Sequence, residues 1–221
     1  MAAMKLDNVC YQYKKTNQQV LKGVSCEFEG GELSAVIGPS GSGKTTLLSI
    51  MAGLDVPTQG DVTVEGESLT KMDLDLYRRK SIAMIFQSFQ LFPLLTVLEN
   101  VCYPMELNGA GKKTAVKRAA ELLELMGITA EKHKRYPSHL SGGEQQRVAI
   151  ARALSSGAKI LLADEPTGNL DQANTEHILE ILKQLAHEQG YCIVVVTHDL
   201  QVAELSDRVW KMRDGLLLKE K

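Results

Sequence analysis

The sequence has little of what would tie it to a membrane, an oxidising compartment or a nucleic acid. Its four cysteines, Cys10, Cys26, Cys102 and Cys192, are scattered, with no C-x-x-C pair and no histidine cluster nearby. Neither a disulfide framework nor a zinc site is expected, and reduced thiols fit the spacing better. Apolar runs stay at strand length, residues 160–163 and 192–196 being among the longest, and residues 1–15 hold no apolar leader-type core. No membrane crossing and no secretion by a leader is therefore expected, so any membrane role has to come through a partner. An excess of positive charge is missing as well: 25 Lys and Arg against 27 Asp and Glu give a net charge of −2. That balance argues against a dedicated nucleic-acid binder. There is no internal repeat, low-complexity tract or long linker. What remains is an ordinary globular composition, 44% hydrophobic and 24% charged over 221 residues, enough chain for a genuine core in one or two domains.

Against this background one stretch stands out. Gly38-Pro39-Ser40-Gly41-Ser42-Gly43-Lys44-Thr45 fills G-x-x-x-x-G-K-[ST] without a mismatch. Leu33-Ser34-Ala35-Val36-Ile37 before it reads as a buried strand, and Thr46-Leu47-Leu48-Ser49-Ile50-Met51-Ala52 after it as a helix, which is the context this motif needs. The three glycines let consecutive N–H groups turn toward one anion, and the helix N-terminus behind them adds partial positive charge. Lys44 is expected to reach the β- and γ-phosphates of a nucleoside triphosphate, and the Thr45 hydroxyl to ligate magnesium.

The remaining segments arrange themselves around this loop. Val24, Cys26 and Phe28 alternate on one strand face, and Asp61-Val62-Thr63-Val64-Glu65 alternates again between Gly60 and Gly66, so the opening third predicts a small antiparallel sheet. Ser81-Ile82-Ala83-Met84-Ile85-Phe86 predicts a strand that ends at Gln87. From residue 88 to about 156 the texture becomes helical. Val116, Ala119, Leu123 and Met126 recur at helical spacing ahead of Gly127, and Ser141-Gly142-Gly143-Glu144 fits the capping box S-x-x-E before Val148, Ala151 and Leu154. Residues 159–164 and 191–197 are again strands, flanking a helix marked by Ile178, Ile181, Leu182 and Leu185, and Asp214-Gly215 predicts a closing hairpin. The expected class is α/β: a P-loop NTPase with a mostly parallel core sheet, an N-terminal antiparallel β subdomain and an inserted α-helical subdomain. Residues 1–87 and 157–221 would form the nucleotide-binding core of a single domain, with 88–156 as the helical insertion.

A second site of chemistry lies at the end of Ile160-Leu161-Leu162-Ala163-Asp164-Glu165. An apolar strand that delivers two carboxylates at its C-terminal end puts them where open parallel sheets bind ligands. Asp164 is expected to hold magnesium through water, and Glu165 to orient and polarise an attacking water. Phosphoryl transfer needs positioning and charge neutralisation more than covalent help, so these groups suffice together with Lys44.

Leu140-Ser141-Gly142-Gly143-Glu144 lies upstream of Asp164-Glu165-Pro166-Thr167-Gly168-Asn169-Leu170-Asp171, and Thr197-His198-Asp199 follows. In this order and approximate spacing, from the first sheet to the last hairpin, the chain resembles the nucleotide-binding subunit of an ABC transporter. That resemblance implies ATP and Mg2+ as ligands, with Gly38, Pro39, Ser40, Gly41, Ser42, Gly43, Lys44, Thr45 and Thr46 around the phosphates and Thr45, Gln87 and Asp164 around the metal. It implies that an aromatic residue stacks on adenine: Tyr13 stands at the family's position, with Tyr11 two places away, on the same strand face, as the other candidate. Gln87 corresponds to the family's glutamine loop, which touches magnesium or the attacking water, and His198 to the switch histidine at the γ-phosphate. With Lys44 and Glu165 they make up the implied catalytic set. Ser141, Gly142, Gly143 and Glu144 correspond to the signature, which faces the opposite subunit's ATP in a homodimer, and Asp171 to the D-loop aspartate that couples the two sites. His133, His139, His177 and His187 match no motif and are expected at the surface.

The wording of residues 38–46 and 164–171 is similar to the MacB/LolD-type subgroup, which includes macrolide and antimicrobial-peptide exporters, lipoprotein-releasing systems and a cell-division ATPase. This implies a transmembrane permease as partner, a periplasmic or extracellular adaptor reached through it, no nucleic acid, and a cytoplasmic location, peripheral on the inner face of the cell membrane. The apolar run Phe89, Leu91, Phe92, Pro93, Leu94 and Leu95 is expected to dock a permease helix. Soluble DNA-maintenance or translation ATPases of the same superfamily carry long coiled coils or two nucleotide domains, neither of which this sequence shows.

Overall fold

Two sheets share the work of burying the apolar strands. The computed structural model describes residues 2–13 and 18–221. Strands β1 (Ala2–Gln12), β2 (Gln19–Glu29), β4 (Gln59–Val64) and β5 (Glu67–Ser68) form an antiparallel sheet in the order β2-β1-β4-β5. Val24, Cys26 and Phe28 of β2 are buried while the residues between them are not, as a sheet with one wet face requires.

The second sheet contains β3 (Leu33–Ile37), β6 (Ile82–Phe86), β7 (Ile160–Asp164), β8 (Cys192–Thr197), β9 (Arg208–Arg213) and β10 (Leu216–Lys219), ordered β10-β9-β3-β8-β7-β6. All neighbours are parallel except the terminal β9–β10 hairpin. Every residue of β3 and β8 is buried, because helices or the other sheet cover both faces. Val36, Leu162, Val194 and Val196 face the antiparallel sheet and helix α1 (Lys44–Met51). Leu33, Ala35, Leu161, Ala163, Ile193 and Val195 face the opposite cluster, which also takes side chains from α3 (Val97–Leu107), α4 (Lys112–Leu125), α5 (Gly142–Ser155) and α6 (Gln172–Gln189). Phe28 is fully buried and meets Trp210 of β9 edge-on, 6.2 Å between ring centres, so it pins one sheet to the other. Truncating it to alanine costs about 3–5 kcal/mol by analogy with other buried aromatics.

Two shorter α-helices are α2 (Leu74–Lys80) before β6 and α7 (Leu200–Leu205) after β8, and three single 3-10 turns lie at Leu69–Lys71, Ala130–Lys132 and Pro137–His139. Within α4 the buried stripe is Ala115, Ala119, Leu122 and Leu123; Val116, expected on that stripe, is 37% exposed. The helix turns by about 100° per residue, so a neighbour one position away carries the contact, and here the small Ala115 lets α4 lie close to its neighbours. Gly127 ends the helix as expected, at φ 68° with its N–H donating to the Glu124 carbonyl. No helix among the described residues is long and apolar enough to cross a membrane.

Candidate functional site: a nucleotide cleft at the strand ends

The register of the parallel strands brings the predicted residues into one row. Ile37 is paired with Thr197, Val196 with Asp164, and Asp164 with Phe86. Gly38, His198, Glu165 and Gln87 each leave the C-terminal end of their strand next, on the four adjacent strands β3, β8, β7 and β6, the edge at which open α/β sheets bind ligands.

At β3 the chain enters the glycine loop. Gly43 caps α1 in the left-handed region, at φ 109°. Lys44 is buried and its ammonium donates to the carbonyls of Gly38 (2.7 Å) and Pro39 (3.0 Å), so the side chain spans the inside of the loop. The outside of the loop is braced by the terminal hairpin. A Cβ on Gly38 would stand 2.2 Å from the Met212 carbonyl oxygen, and the Gly215 N–H donates to the Ser42 carbonyl at 3.2 Å. Only glycine fits at position 38, since no backbone can yield to so short a contact. This buttress from residues 212–215 has no signal in the local sequence. In front of the loop is a cleft of about 420 Å³, lined by Tyr13, Gln18, Val20, Ser40, Gly41, Gly43, Lys44, Thr45, Thr46 and Glu165.

Glu165 holds a left-handed backbone at φ 45°, unusual for a residue with a side chain, and its N–H donates to the Val196 carbonyl (2.9 Å). His198 donates from Nδ1 to Glu165 Oε1 at 3.0 Å, fixing which ring nitrogen points at the carboxylate. Gln87 approaches from β6: a Cβ on Gly168 would lie 2.8 Å from Gln87 Nε2 and 3.4 Å from Glu165 Oε2, so the amide and the carboxylate flank this glycine together. The carboxyl of Asp164 is pushed above its usual range, first by burial and then by the Glu165 charge, while Lys44 and a hydrogen bond from the Thr45 hydroxyl pull it back. Two carboxylates crowded in this way next to a threonine hydroxyl are a place where a hard divalent cation relieves repulsion. The residues therefore fit Mg2+, which Thr45, Asp164 and Gln87 would hold.

The two aromatic candidates separate cleanly. Tyr11 is buried and donates to Asp55 Oδ1 at 3.0 Å, whereas Tyr13 is 45% exposed at the mouth of the cleft, its hydroxyl 3.1 Å from Thr46 Oγ1. The rings meet edge-on with centres 5.0 Å apart, so Tyr11 supports Tyr13 from beneath.

The Ser141 stretch is built as the capping box predicted. Ser141 Oγ accepts from the Glu144 N–H (3.3 Å) and Glu144 Oε2 from the Ser141 N–H (2.8 Å). Lys132 also pairs with Glu144, and this ammonium, ahead of the Ser141 bonds, holds the Glu144 carboxyl down to about 2. Ser141, Gly142, Gly143 and Glu144 do not line the cleft of their own chain. Asp171 does not line it either; it caps α6, accepting from the Asn174 N–H and the Asn174 side chain. Asn174 also accepts from Arg147 of α5 (3.2 Å) and lies so close to Gly143 that a Cβ there would be 2.4 Å from its Oδ1. Arg147, Asn174 and Lys132 were not foreseen; each acts across a tertiary contact, and only the T/S/D-type caps advertise themselves locally. Of the other histidines, His187 is not idle: its Nε2 is 2.9 Å from Asp207, which also accepts from the Leu33 N–H.

A buried strand, a glycine loop closed by Lys-Thr at a helix start, and two successive carboxylates at the end of another parallel strand of the same sheet define a P-loop nucleoside triphosphatase. The profile of the family described as ABC transporter matches residues 21–168. The chain is 44% identical to the lipoprotein-releasing system ATP-binding protein LolD of Bacteroides thetaiotaomicron, over 91% of this chain and 94% of that protein. It is 45% identical to the macrolide export ATP-binding/permease protein MacB of Rhodopirellula baltica, over 91% of this chain but 30% of that larger protein. Among solved structures, the dimeric bacterial ABC transporter cassette MJ0796 superposes with a TM-score of 0.90 at 42% identity, covering 99% of this chain and 98% of that one. The same protein in a dimeric post-hydrolysis state bound to ADP and Pi gives 0.90 at 41%, over the same shares of the two chains. The chain belongs to the ABC transporter family, as an ATP-binding, ATP-hydrolysing domain of the kind found in MacB and LolD.

Proposed function

We propose that two copies of this chain close on two ATP molecules and that hydrolysis, by removing the γ-phosphate contacts, releases the pair and drives a conformational change in a membrane permease. The observation that carries this reading is the placement of α5. Its first N–H groups, at Gly142 and Gly143, have no intrahelical partners and form an anion-binding helix start, yet this end does not line its own chain's cleft. A second copy supplies the phosphate it lacks, with Asp171 coupling the two sites, and the dimeric neighbour MJ0796 supports the arrangement.

Within one cleft Tyr13 stacks on adenine and the loop amides of residues 38–46 and Lys44 hold the phosphates. Glu165 accepts the proton of the attacking water. His198 keeps the Glu165 carboxylate aimed and leaves Nε2 for the γ-phosphate. Gln87 orients the water beside Glu165. Thr45, Asp164 and Gln87 would hold Mg2+, which would supply neutralisation of the phosphate charge. Phe92 and Leu94, 41% and 88% exposed on the run that follows Gln87, give a permease helix an apolar seat at the cytoplasmic face of the membrane. The permease belongs to the MacB/LolD type, with export of drugs or antimicrobial peptides as the leading use and lipoprotein release, or mechanical work in cell division, as the others.

The test is Glu165→Gln. It removes the proton acceptor and retains shape, so turnover falls about 10²–10⁴-fold while ATP accumulates in a stable dimer seen by light scattering. A variant that stays monomeric at saturating ATP overturns the paired arrangement.

A further inference from the structure

The segment after Gln87 is built against its own backbone preferences. Phe89 and Gln90 both lie in the left-handed region, at φ 60° and 52°, where side chains crowd the backbone and two successive non-glycine residues are rare. Beside the turn's own bonds, Phe89 N–H to the Phe86 carbonyl and Gln90 N–H to the Ser88 carbonyl, one side chain from the far end of α5 bonds to both residues. Arg152 donates to the Gln90 carbonyl (2.6 Å) and, from its other terminal nitrogen, to the Phe89 carbonyl (3.1 Å), and its guanidinium carbon lies 5.7 Å from the centre of the Phe92 ring. No ion pair among the described residues involves Arg152, so the planar fork is committed to this turn. On the other flank Asn169 donates to the Gln87 carbonyl at 3.0 Å.

We propose that Arg152 is a positioning residue for Gln87: its two hydrogen bonds keep residues 89 and 90 left-handed, which holds the Gln87 amide beside Glu165 over Gly168. Because Arg152 rides on the helix that starts at the Ser141 cap, the place of Gln87 follows the place of α5. A shift of the signature end toward or away from a second copy therefore moves the water-orienting amide, in a helix of 14 residues with no break. The inference rests on the reading of Gln87 given above.

The experiment uses the full chain and compares the parent, Gln87→Ala, Arg152→Ala, Gln90→Gly and the double variant R152A/Q90G in steady-state ATPase assays, with thermal melting alongside. Arg152→Ala is expected to lower kcat about tenfold or more, as two charge-assisted bonds are lost, with KM for ATP nearly unchanged because the glycine loop is untouched. Gln90→Gly alone retains parental turnover. In the double variant glycine relieves the backbone crowding that Arg152 offsets, and most of kcat returns. Unchanged kcat in Arg152→Ala, or no recovery in the double variant, overturns the proposal. If Arg152→Ala does not fold, Arg152→Met is read in its place: it keeps the aliphatic stem and donates to neither carbonyl, and rescue by Gln90→Gly is still required. Parental turnover in Gln87→Ala would refute the reading of Gln87 instead. In that case amide exchange over residues 88–92 decides the clamp by itself: faster exchange in the Arg152 variant upholds it, and unchanged exchange removes it.

Discussion

His198 Nδ1 donates to Glu165 Oε1 across 3.0 Å, joining the ends of two adjacent parallel strands at a residue whose backbone is left-handed. Removing the imidazole frees the carboxylate from the only side chain among the described residues that bonds it. His198→Ala is expected to lower kcat about 10- to 100-fold, the lower part of the range for positioned proton-transfer groups, with nucleotide affinity lowered less. Fluorescent-nucleotide titration beside steady-state turnover separates the two effects. A loss of nucleotide affinity with kcat unchanged would assign His198 to binding alone.

Tyr13 and Tyr11 differ in burial, so their variants should fail differently. On the stacking role proposed for Tyr13, Tyr13→Ala loses a surface worth about 1–3 kcal/mol, and ATP binding is expected to weaken about 10- to 100-fold without a change in melting temperature. Tyr11→Ala hollows a packed site and costs about 3–5 kcal/mol of stability. A calorimetric titration and a melting curve for each variant are sufficient, and the opposite pattern would exchange their roles.

Gly143 leaves room for Asn174. Gly143→Ala forces a Cβ to 2.4 Å from Asn174 Oδ1, and relief requires breaking the bonds that join Asn174 to Asp171 and Arg147. The expected cost is about 1–3 kcal/mol, each kcal/mol lowering the melting temperature by about 2–4 °C. Adding Asn174→Ala removes the obstacle and recovers part of the loss; strict additivity of the two changes would show that they do not touch.

Glu144 supplies the pH dependence. Its carboxyl is held from an ordinary value of 4.5 down to about 2, chiefly by Lys132 and next by the Ser141 N–H. A folded value below the unfolded one means that the stabilisation is complete above about 4.5 and is lost as the pH falls through about 2. Glu144→Gln should therefore melt below the parent at neutral pH, with the gap narrowing on acidification across that window. A gap independent of pH would remove the carboxylate from the account.

Much of this site was legible because its parts are local. The glycine loop, the capping box at Ser141 and the strand ending in Asp164-Glu165 each state their geometry within a few residues, and β3 and β8 announce double-sided burial by unbroken apolar runs. What escaped was long-range. Arg152, Asn174 and the Met212 carbonyl act on residues 62, 31 and 174 positions away (152 − 90, 174 − 143, 212 − 38), and nothing in a short window specifies such a meeting. Val116 differs from the pattern for a subtler reason: alanine carries so little hydrophobic signal that the valine beside it dominates the periodicity, although Ala115 faces the core. Thr96 and Glu99 form a second capping box at the start of α3, a pattern that T-x-x-E displays openly.

The hairpin of β9 and β10 closes the back of the glycine loop through Met212 and Gly215. Synthesis runs the other way, loop first and hairpin long afterwards. A chain still emerging from the ribosome thus carries every loop residue in sequence but lacks the wall behind them, which is in place only when residues 208–219 have folded.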